Sequence, residues 1–207
     1  MAKAMGVPKA RTIGALALCL AAVFASSSAF AGWQEDASPA EIDRLNQLPQ
    51  IRDEAIADAQ HGAGEGAWRV ISPVVESQAH AIPANALTGN WRCRQIKLGG
   101  ISPAMVYDRW FTCSIRSAHN GLLLGKTGGT QRFFGSLYPE QGAWVYLGAS
   151  SVRGEPRHRY SGPSPALGAA VTPDDQIGLL TGIGDNHLRL EIPAVQESLL
   201  DVVEFKR

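Results

Sequence analysis

Cys93 and Cys113 are the residues whose type and spacing bear most directly on chemistry. Each alternates with polar residues in a segment that also carries aromatic side chains, Trp91 beside Cys93 and Phe111 beside Cys113. Antiparallel neighbours bring opposed Cα atoms to about 4.5–5.5 Å, within the range a disulfide accepts. A Cys93–Cys113 disulfide is therefore expected, and closing a loop of that length would stabilise the fold by roughly 3 kcal/mol. Two cysteines without a nearby histidine cluster lack the ligand spacing of a metal centre.

The other candidates are polar side chains inside strand-like segments. Gln131 adjoins Arg132, and Arg189 and Glu191 alternate with Leu188, Leu190 and Ile192. An arginine turned inward, Arg132 or Arg189, needs an acid, because an unpaired buried charge is costly. Glu197 is the expected partner, and such a pair could hold an anionic ligand through the guanidinium fork. With Trp91, Tyr107 and Phe111 as apolar walls, the expected ligand-binding set is Trp91, Tyr107, Phe111, Gln131, Arg132, Arg189 and Glu197. Glu197, Asp201 and Glu191 are also the carboxylates available for acid–base work, which requires surroundings that split their pKa values.

Known catalytic motifs do not occur. Gly148-Ala149-Ser150-Ser151-Val152 has valine where a nucleophile elbow needs its second glycine. His61, His80, His119, His158 and His187 are scattered and keep no metal-ligand spacing. Lys126-Thr127-Gly128-Gly129-Thr130 lacks the leading glycine of a phosphate loop and lies between strands, so it reads as a turn. No catalytic residue, metal or cofactor is expected.

The elements that must position these residues follow from periodicity. Period-two alternation marks strands at Gly89–Lys97, Met105–Arg116, Leu122–Lys126, Thr130–Tyr138, Ala143–Ala149, Ile177–Ile183, His187–Ile192 and Leu199–Lys206. Asn120-Gly121 and Gly184-Asp185-Asn186 are tight-turn signals. About eight antiparallel strands fit a closed or nearly closed up-and-down barrel. A last strand reaching almost to Arg207 favours closure, because pairing it with the first removes both edges. Ser150 to Gln176 is anomalously long for a connection and carries Arg153, Arg157, His158, Arg159 and Tyr160. It reads as a lid, a partner contact or a solvated excursion.

Residues 32–86 differ from the rest and read as a helical arm with a linker. Ser38-Pro39-Ala40-Glu41 has a capping serine, a proline at the first helical position and a glutamate three after the cap. Helical spacing follows through Gln60, His61 to Gly66 supplies a stop, and Trp68–Val75 is ambiguous because Pro73 splits it. His80 to Asn85 reads as linker.

Residues 1–31 read as a secretory signal peptide. Lys3, Lys9 and Arg11 precede an apolar run from Ile13 to Phe24, and Ala29-Phe30-Ala31 supplies small residues for cleavage after Ala31. The run is shorter than the roughly 20 residues of a membrane span. A bacterial protein, periplasmic or secreted, with no membrane span after processing is expected. The whole chain balances 19 basic against 19 acidic residues, which gives no basic excess to attract nucleic acid. At 45% hydrophobic and 18% charged it is composed as a packed globular protein.

Several stretches resemble an uncharacterised family of exported bacterial proteins, domain of unknown function 4893. They are Gly89-Asn90-Trp91-Arg92-Cys93-Arg94, Trp110-Phe111-Thr112-Cys113-Ser114-Ile115, Gly129-Thr130-Gln131-Arg132, Gly135-Ser136-Leu137-Tyr138-Pro139 and Glu197 to Glu204. The resemblance implies the compartment and no reaction. Leu87-Thr88-Gly89-Asn90-Trp91 ahead of the strands is also similar to the opening of lipocalin-type barrels and small secreted protease inhibitors, a likeness of fold alone. The expected function is non-enzymatic binding of a small molecule, envelope component or protein. Inhibition of a secreted or periplasmic hydrolase through a protruding segment is the alternative.

Overall fold

A computed structural model of the chain describes residues 1–2, 32–119, 121–162, 172–193 and 196–207. The leader expected at residues 1–31 therefore lies almost wholly outside the described residues, as does Asn120 of the expected Asn-Gly turn. Among the described residues five helices come first: α1 (Trp33–Asp36), α2 (Pro39–Asn46), α3 (Leu48–Gly62), α4 (Gly64–Val75) and α5 (Ala84–Leu87). At α2 the Ser38 hydroxyl oxygen accepts the Glu41 N–H at 3.3 Å while its O–H donates to Glu41 Oε2 at 3.0 Å. The expected cap is thus formed.

The stretch that Pro73 left ambiguous is helical. A proline inside a helix costs about 3 kcal/mol, but Ile71, Val74 and Val75 are fully buried or nearly so. Each such side chain contributes about 1.5–3 kcal/mol, so burial outweighs the proline. The expected stop between His61 and Gly66 is formed, as a corner between two helices with Gly64 at φ +74.

Nine strands follow among the described residues: β1 (Gly89–Leu98), β2 (Ala104–Val106), β3 (Phe111–Ala118), β4 (Gly121–Lys126), β5 (Gln131–Glu140), β6 (Ala143–Val152), β7 (Asp175–Gly184), β8 (His187–Pro193) and β9 (Leu200–Lys206). All pairings between them are antiparallel, and β9 pairs back on β1 from Arg92↔Lys206 to Leu98↔Leu200. The result is a closed eight-stranded barrel of β1 and β3–β9, with β2 as an extra strand. The segment expected as one strand over Met105–Arg116 is two. β3 pairs with the first half of β1, from Gly89↔Ile115 to Cys93↔Phe111, and β2 takes over at Ile96↔Val106. The change of partner falls at Gln95. The expected connection Ser150–Gln176 is also shorter, since β6 runs to Val152 and β7 starts at Asp175.

Alternation divides the barrel into two faces. Trp91, Cys93, Ile115, Leu124, Leu137, Tyr146, Leu180, Leu190, Val203 and Phe205 point inward and pack together. The outward residues Ile96, Leu98, Leu200 and Val202 are covered by Leu48, Ala55, Ala59, Ile71, Val74 and Val75 of α3 and α4. Trp33 covers Val145, Leu147 and Ile177 in the same way. Helices thus bury the outside of part of the sheet, which is why β7–β9 read as nearly continuous apolar runs.

Tyr146 fills the middle of the barrel. Its hydroxyl is where a Cβ on Gly148 would stand, 2.2 Å away, and its ring edge would meet a Cβ on Gly135 at 2.6 Å. The bulky ring fits because Gly135 and Gly148, opposite each other in the ladder, leave it space.

Candidate functional site

The two ends of the barrel differ. At one end Trp91 is 3% exposed, its Nε1 donates to the Leu87 carbonyl at 2.8 Å, and the Arg207 guanidinium lies 3.9 Å from its ring centroid. Ile82 accepts from Trp144 Nε1 at 2.9 Å, and the bridge His80↔Gly182 ties the same segment across this end. This end is plugged.

The other end is polar and open. Alternation places Gln95 and Lys97 of β1, Lys126 of β4, Gln131 of β5, Ser150 of β6, Gln176 of β7 and Asp201 of β9 on the inner face there. Two cavities result. The larger, about 360 Å³, is the barrel mouth and is lined by Gln95, Lys97, Gln131, Phe133, Ser150, Gln176, Ile192, Asp201 and Val203, with Arg132, His158, Asp174, Asp175 and Glu197 at its rim. The smaller, about 310 Å³, is lined by Gln95, Tyr107, Phe111, Lys126, Thr130 and Gln131. It sits where β1 changes partner from β3 to β2, because the wall is incomplete at that junction.

The charges of the mouth centre on Lys97. Its Nζ donates to Glu197 Oε2 at 2.6 Å. Burial works against the Lys97 charge, but Glu197 and Asp201 outweigh it and hold its pKa above the usual lysine value. Asp201 is buried and accepts from Ser198 Oγ at 2.6 Å and Gln95 Nε2 at 2.9 Å. Burial raises its pKa, against the opposing pull of Ser198, Lys97 and Gln95. The hydrogen bond from Lys97 lowers that of Glu197. Three polar atoms here are buried with no protein partner among the described residues: Gln176 Oε1 on the inner face, and Arg132 Nε and Asp175 Oδ2 at the rim.

The expected ligand-binding residues are distributed unevenly. Gln131 lines both cavities, Tyr107 and Phe111 the smaller, and Arg132 and Glu197 the larger. Trp91 belongs to the plugged end. Arg189 lies on the outer face beneath α4, where its guanidinium donates to the carbonyls of Val74 at 2.9 Å, Val75 at 3.1 Å and Ser77 at 3.2 Å. Its acidic neighbour is Glu191, at 3.2 Å, which also accepts from Arg52 Nε at 2.7 Å. Glu197 therefore partners Lys97 and neither arginine. Asp201, expected as a candidate carboxylate, lines the mouth, whereas Gln95, Lys97, Lys126 and Gln176 are site residues that the sequence reading does not single out, although the first three continue an alternation visible beside them.

The Cys93–Cys113 disulfide is present, with Cα atoms 5.8 Å apart. It joins β1 to β3 inside the barrel, just below the junction that opens the smaller cavity.

The match to a family covers arm and barrel together: residues 33–205 fit Domain of unknown function (DUF4893). The chain belongs to the DUF4893 family. No curated protein and no solved structure matches it. Membership in DUF4893 carries no assigned activity, so function has to be read from the site.

Proposed function

We propose that this DUF4893 protein is an exported, non-enzymatic binding protein that takes a small polar molecule into the open end of its barrel. The observation that carries the reading is the polar lining of the mouth, where Gln176 Oε1 on the inner face is buried without a protein partner among the described residues, as are Arg132 Nε and Asp175 Oδ2 at the rim. Buried polar atoms are costly unless hydrogen-bonded, and a hydroxyl- or amide-bearing ligand would satisfy them. Phe133, Ile192 and Val203 offer that ligand an apolar floor. Acids outnumber bases in the lining, with Glu155, Asp174, Asp175, Glu197 and Asp201 against Arg44, Lys97 and Arg132. A neutral or cationic ligand suits this mouth better than the anionic one expected from the arginines.

Export is supported by the leader pattern of residues 1–31 and by the disulfide, which persists in oxidising compartments. Among the described residues no helix is long and apolar enough to cross a membrane.

Inhibition of a hydrolase has less support, because it needs a protruding segment. The arm lies against the barrel. The described part of the β6–β7 connection is tied down by Tyr160, which donates to Glu41 and accepts the Ser38 N–H at 2.8 Å. A hydrolytic reading draws on the opposite pKa shifts of Asp201 and Glu197, but both Asp201 oxygens are already engaged by Ser198 and Gln95. Glu191 lies on the far side of the sheet.

The test is thermal-shift screening of protein exported with its own leader, against a panel of sugars, amino acids and small amides, alongside native mass spectrometry. A panel member that raises the melting temperature of the wild type but not of Gln176→Leu or Asp201→Asn supports the reading. No retained mass and no shift with any member would reject it.

A further inference from the structure

Lys126 is the most unusual group outside the mouth. The alternation Leu122, Leu124, Lys126 carries it onto the inner face at the end of β4, where it is 5% exposed. Its neighbours across the ladder are Cys113, held in the disulfide, and Phe133. An ammonium has three N–H donors, and its one protein acceptor among the described residues is the Gln131 carbonyl at 2.6 Å. The Phe111 ring centroid lies 4.7 Å from Nζ. Lys126 makes no salt bridge among the described residues, unlike Lys97 and Lys206. A buried cation is ordinarily paired, because an isolated one is costly.

The surroundings describe a counter-ion. The cavity of about 310 Å³ beside Lys126 is otherwise lined by Phe111, Tyr107, Thr130, Gln95 and Gln131. Among the described residues the lining carries one cation and no acid, so one negative charge balances it and a dianion would leave charge uncompensated. The apolar walls leave room for a hydrocarbon body next to that charge. Gly128 and Gly129 of the β4–β5 turn lie on Phe111 and hold its ring at the rim.

We propose that this second cavity takes a small organic monoanion, a carboxylate on a flat or short apolar body, with Lys126 as its counter-ion. The carboxylate accepts from Lys126 Nζ, with Thr130 and the two glutamines as neutral donors around it. The inference does not rest on the reading of the mouth, which is lined by acids and favours the opposite charge. Burial alone pushes the Lys126 pKa down, to about 8, because no neighbouring anion opposes it. Among the described residues Tyr107 is the one other titratable group lining the cavity, and Gln95, Phe111, Thr130 and Gln131 carry no charge. A bound carboxylate therefore raises the Lys126 pKa, and its affinity declines as pH rises past the pKa of the free protein.

The probes are sodium benzoate, its uncharged isostere benzamide and sodium chloride, titrated into full-length processed protein carrying ¹³C-labelled lysine. The Lys126 resonance is assigned by its loss in Lys126→Met. Benzoate is expected to shift that resonance saturably and to move its titration midpoint upward. Benzamide is expected to bind roughly tenfold or more weakly, as loss of a charge-assisted hydrogen bond implies. Lys126→Met should abolish benzoate binding, and Lys206→Met, which removes a cation from the outer face, should not. Equal binding of benzoate and benzamide, no saturable response to benzoate, an unmoved Lys126 titration, or an equal response to chloride would each overturn the proposal. The comparison of benzoate, benzamide and chloride binding is made on the wild-type protein, so that comparison does not depend on the variants folding. Failure here leaves the mouth to be judged by its own panel and variants.

Discussion

Cys93 and Cys113 are bonded diagonally: Cys93 stands opposite Phe111 and Cys113 opposite Trp91, yet their Cα atoms are 5.8 Å apart. Diagonal neighbours on a flat ladder are about 7–8 Å apart, so the strands approach each other closely here, at the last pairs before β1 changes partner. The bond clamps β3 to β1 where the ladder is about to end. Its reduction is expected to lower stability by about 3 kcal/mol, the loop-closure value for this separation. Urea denaturation with and without reductant measures this. Equal midpoints would show that the ladder holds without the bond.

Tyr146 and its two glycines make a second expectation. A Cβ on Gly135 would stand 2.2 Å from the Leu147 carbonyl oxygen, and one on Gly148 would stand 2.5 Å from the Phe134 carbonyl oxygen. Backbone on both strands would have to part, which a rotamer change cannot relieve. Gly135→Ala is expected to cost at least about 3 kcal/mol, at or above the upper range of overpacking. A denaturation midpoint within error of wild type would show that the barrel widens freely around Tyr146.

How far the sequence could be read follows from which signals are local. Alternation located all eight barrel strands, and Ser38 with Glu41 located a helix start, because both depend on neighbouring residues alone. The turn at Asn186, which adopts φ +53, was legible for the same reason. The change of β1 from β3 to β2 was not, since it depends on how residues 99–110 fold back over the barrel rim. Arg189 was assigned to a ligand although it alternates with Leu188 and Leu190, which face inward. Its place outside was readable, but the α4 carbonyls it meets are more than a hundred residues earlier. Lys97 and Lys126 were missed because charged residues ending an apolar alternation read as strand ends, whereas here they continue the inner face into the open end.

Arg189 anchors the helical arm. It meets the carbonyls of Val74 and Val75 at the end of α4 and that of Ser77 beyond it, and Arg52 of α3 reaches the same Val75 carbonyl and Glu191. Removing a partner from a buried charged pair typically costs about 3–5 kcal/mol, and Arg52 remains to neutralise Glu191, so the lower figure applies. Arg189→Met is expected to destabilise by about 3 kcal/mol and to speed amide exchange in α4 before the barrel strands. Hydrogen exchange followed by mass spectrometry resolves the order. Uniform acceleration in arm and barrel would argue that they unfold as one unit.

On the outer face Glu204 accepts from Arg94 Nε at 2.6 Å, stands 2.8 Å from His187 Nε2 and pairs with Lys206 at 2.9 Å. Burial lowers the His187 pKa, and the Lys206 and Arg94 charges add to this against the pull of Glu204. The unfolded chain then binds the proton more readily than the fold, so stability falls as pH drops below the ordinary histidine value near 6.5. Glu204 acts in the same sense at lower pH: its depressed pKa contributes stability that is lost as acid titrates it. His187→Gln is expected to flatten the stability profile between pH 7 and about 5 while leaving the steeper acid limb. Parallel profiles for variant and wild type would remove His187 from the account.

Lys126 makes the opposite prediction on the alkaline side. Its folded pKa of about 8 lies below its unfolded value of 10.5, so the unfolded chain holds the proton more tightly between them. The buried charge penalises the fold fully below pH 8, and the penalty fades as pH rises toward 10.5. Lys126→Met removes the charge and keeps the bulk, so it is expected to stabilise the protein at pH 7 by on the order of 2 kcal/mol. The gain over wild type should shrink as pH approaches 10. Adding a carboxylate to wild-type protein at pH 7 should recover part of the same stability by supplying the missing counter-ion, and should do nothing for Lys126→Met. Melting temperatures across pH, with and without benzoate, decide the matter. A less stable Lys126→Met at neutral pH would mean that the Gln131 bond and the Phe111 contact already compensate the charge.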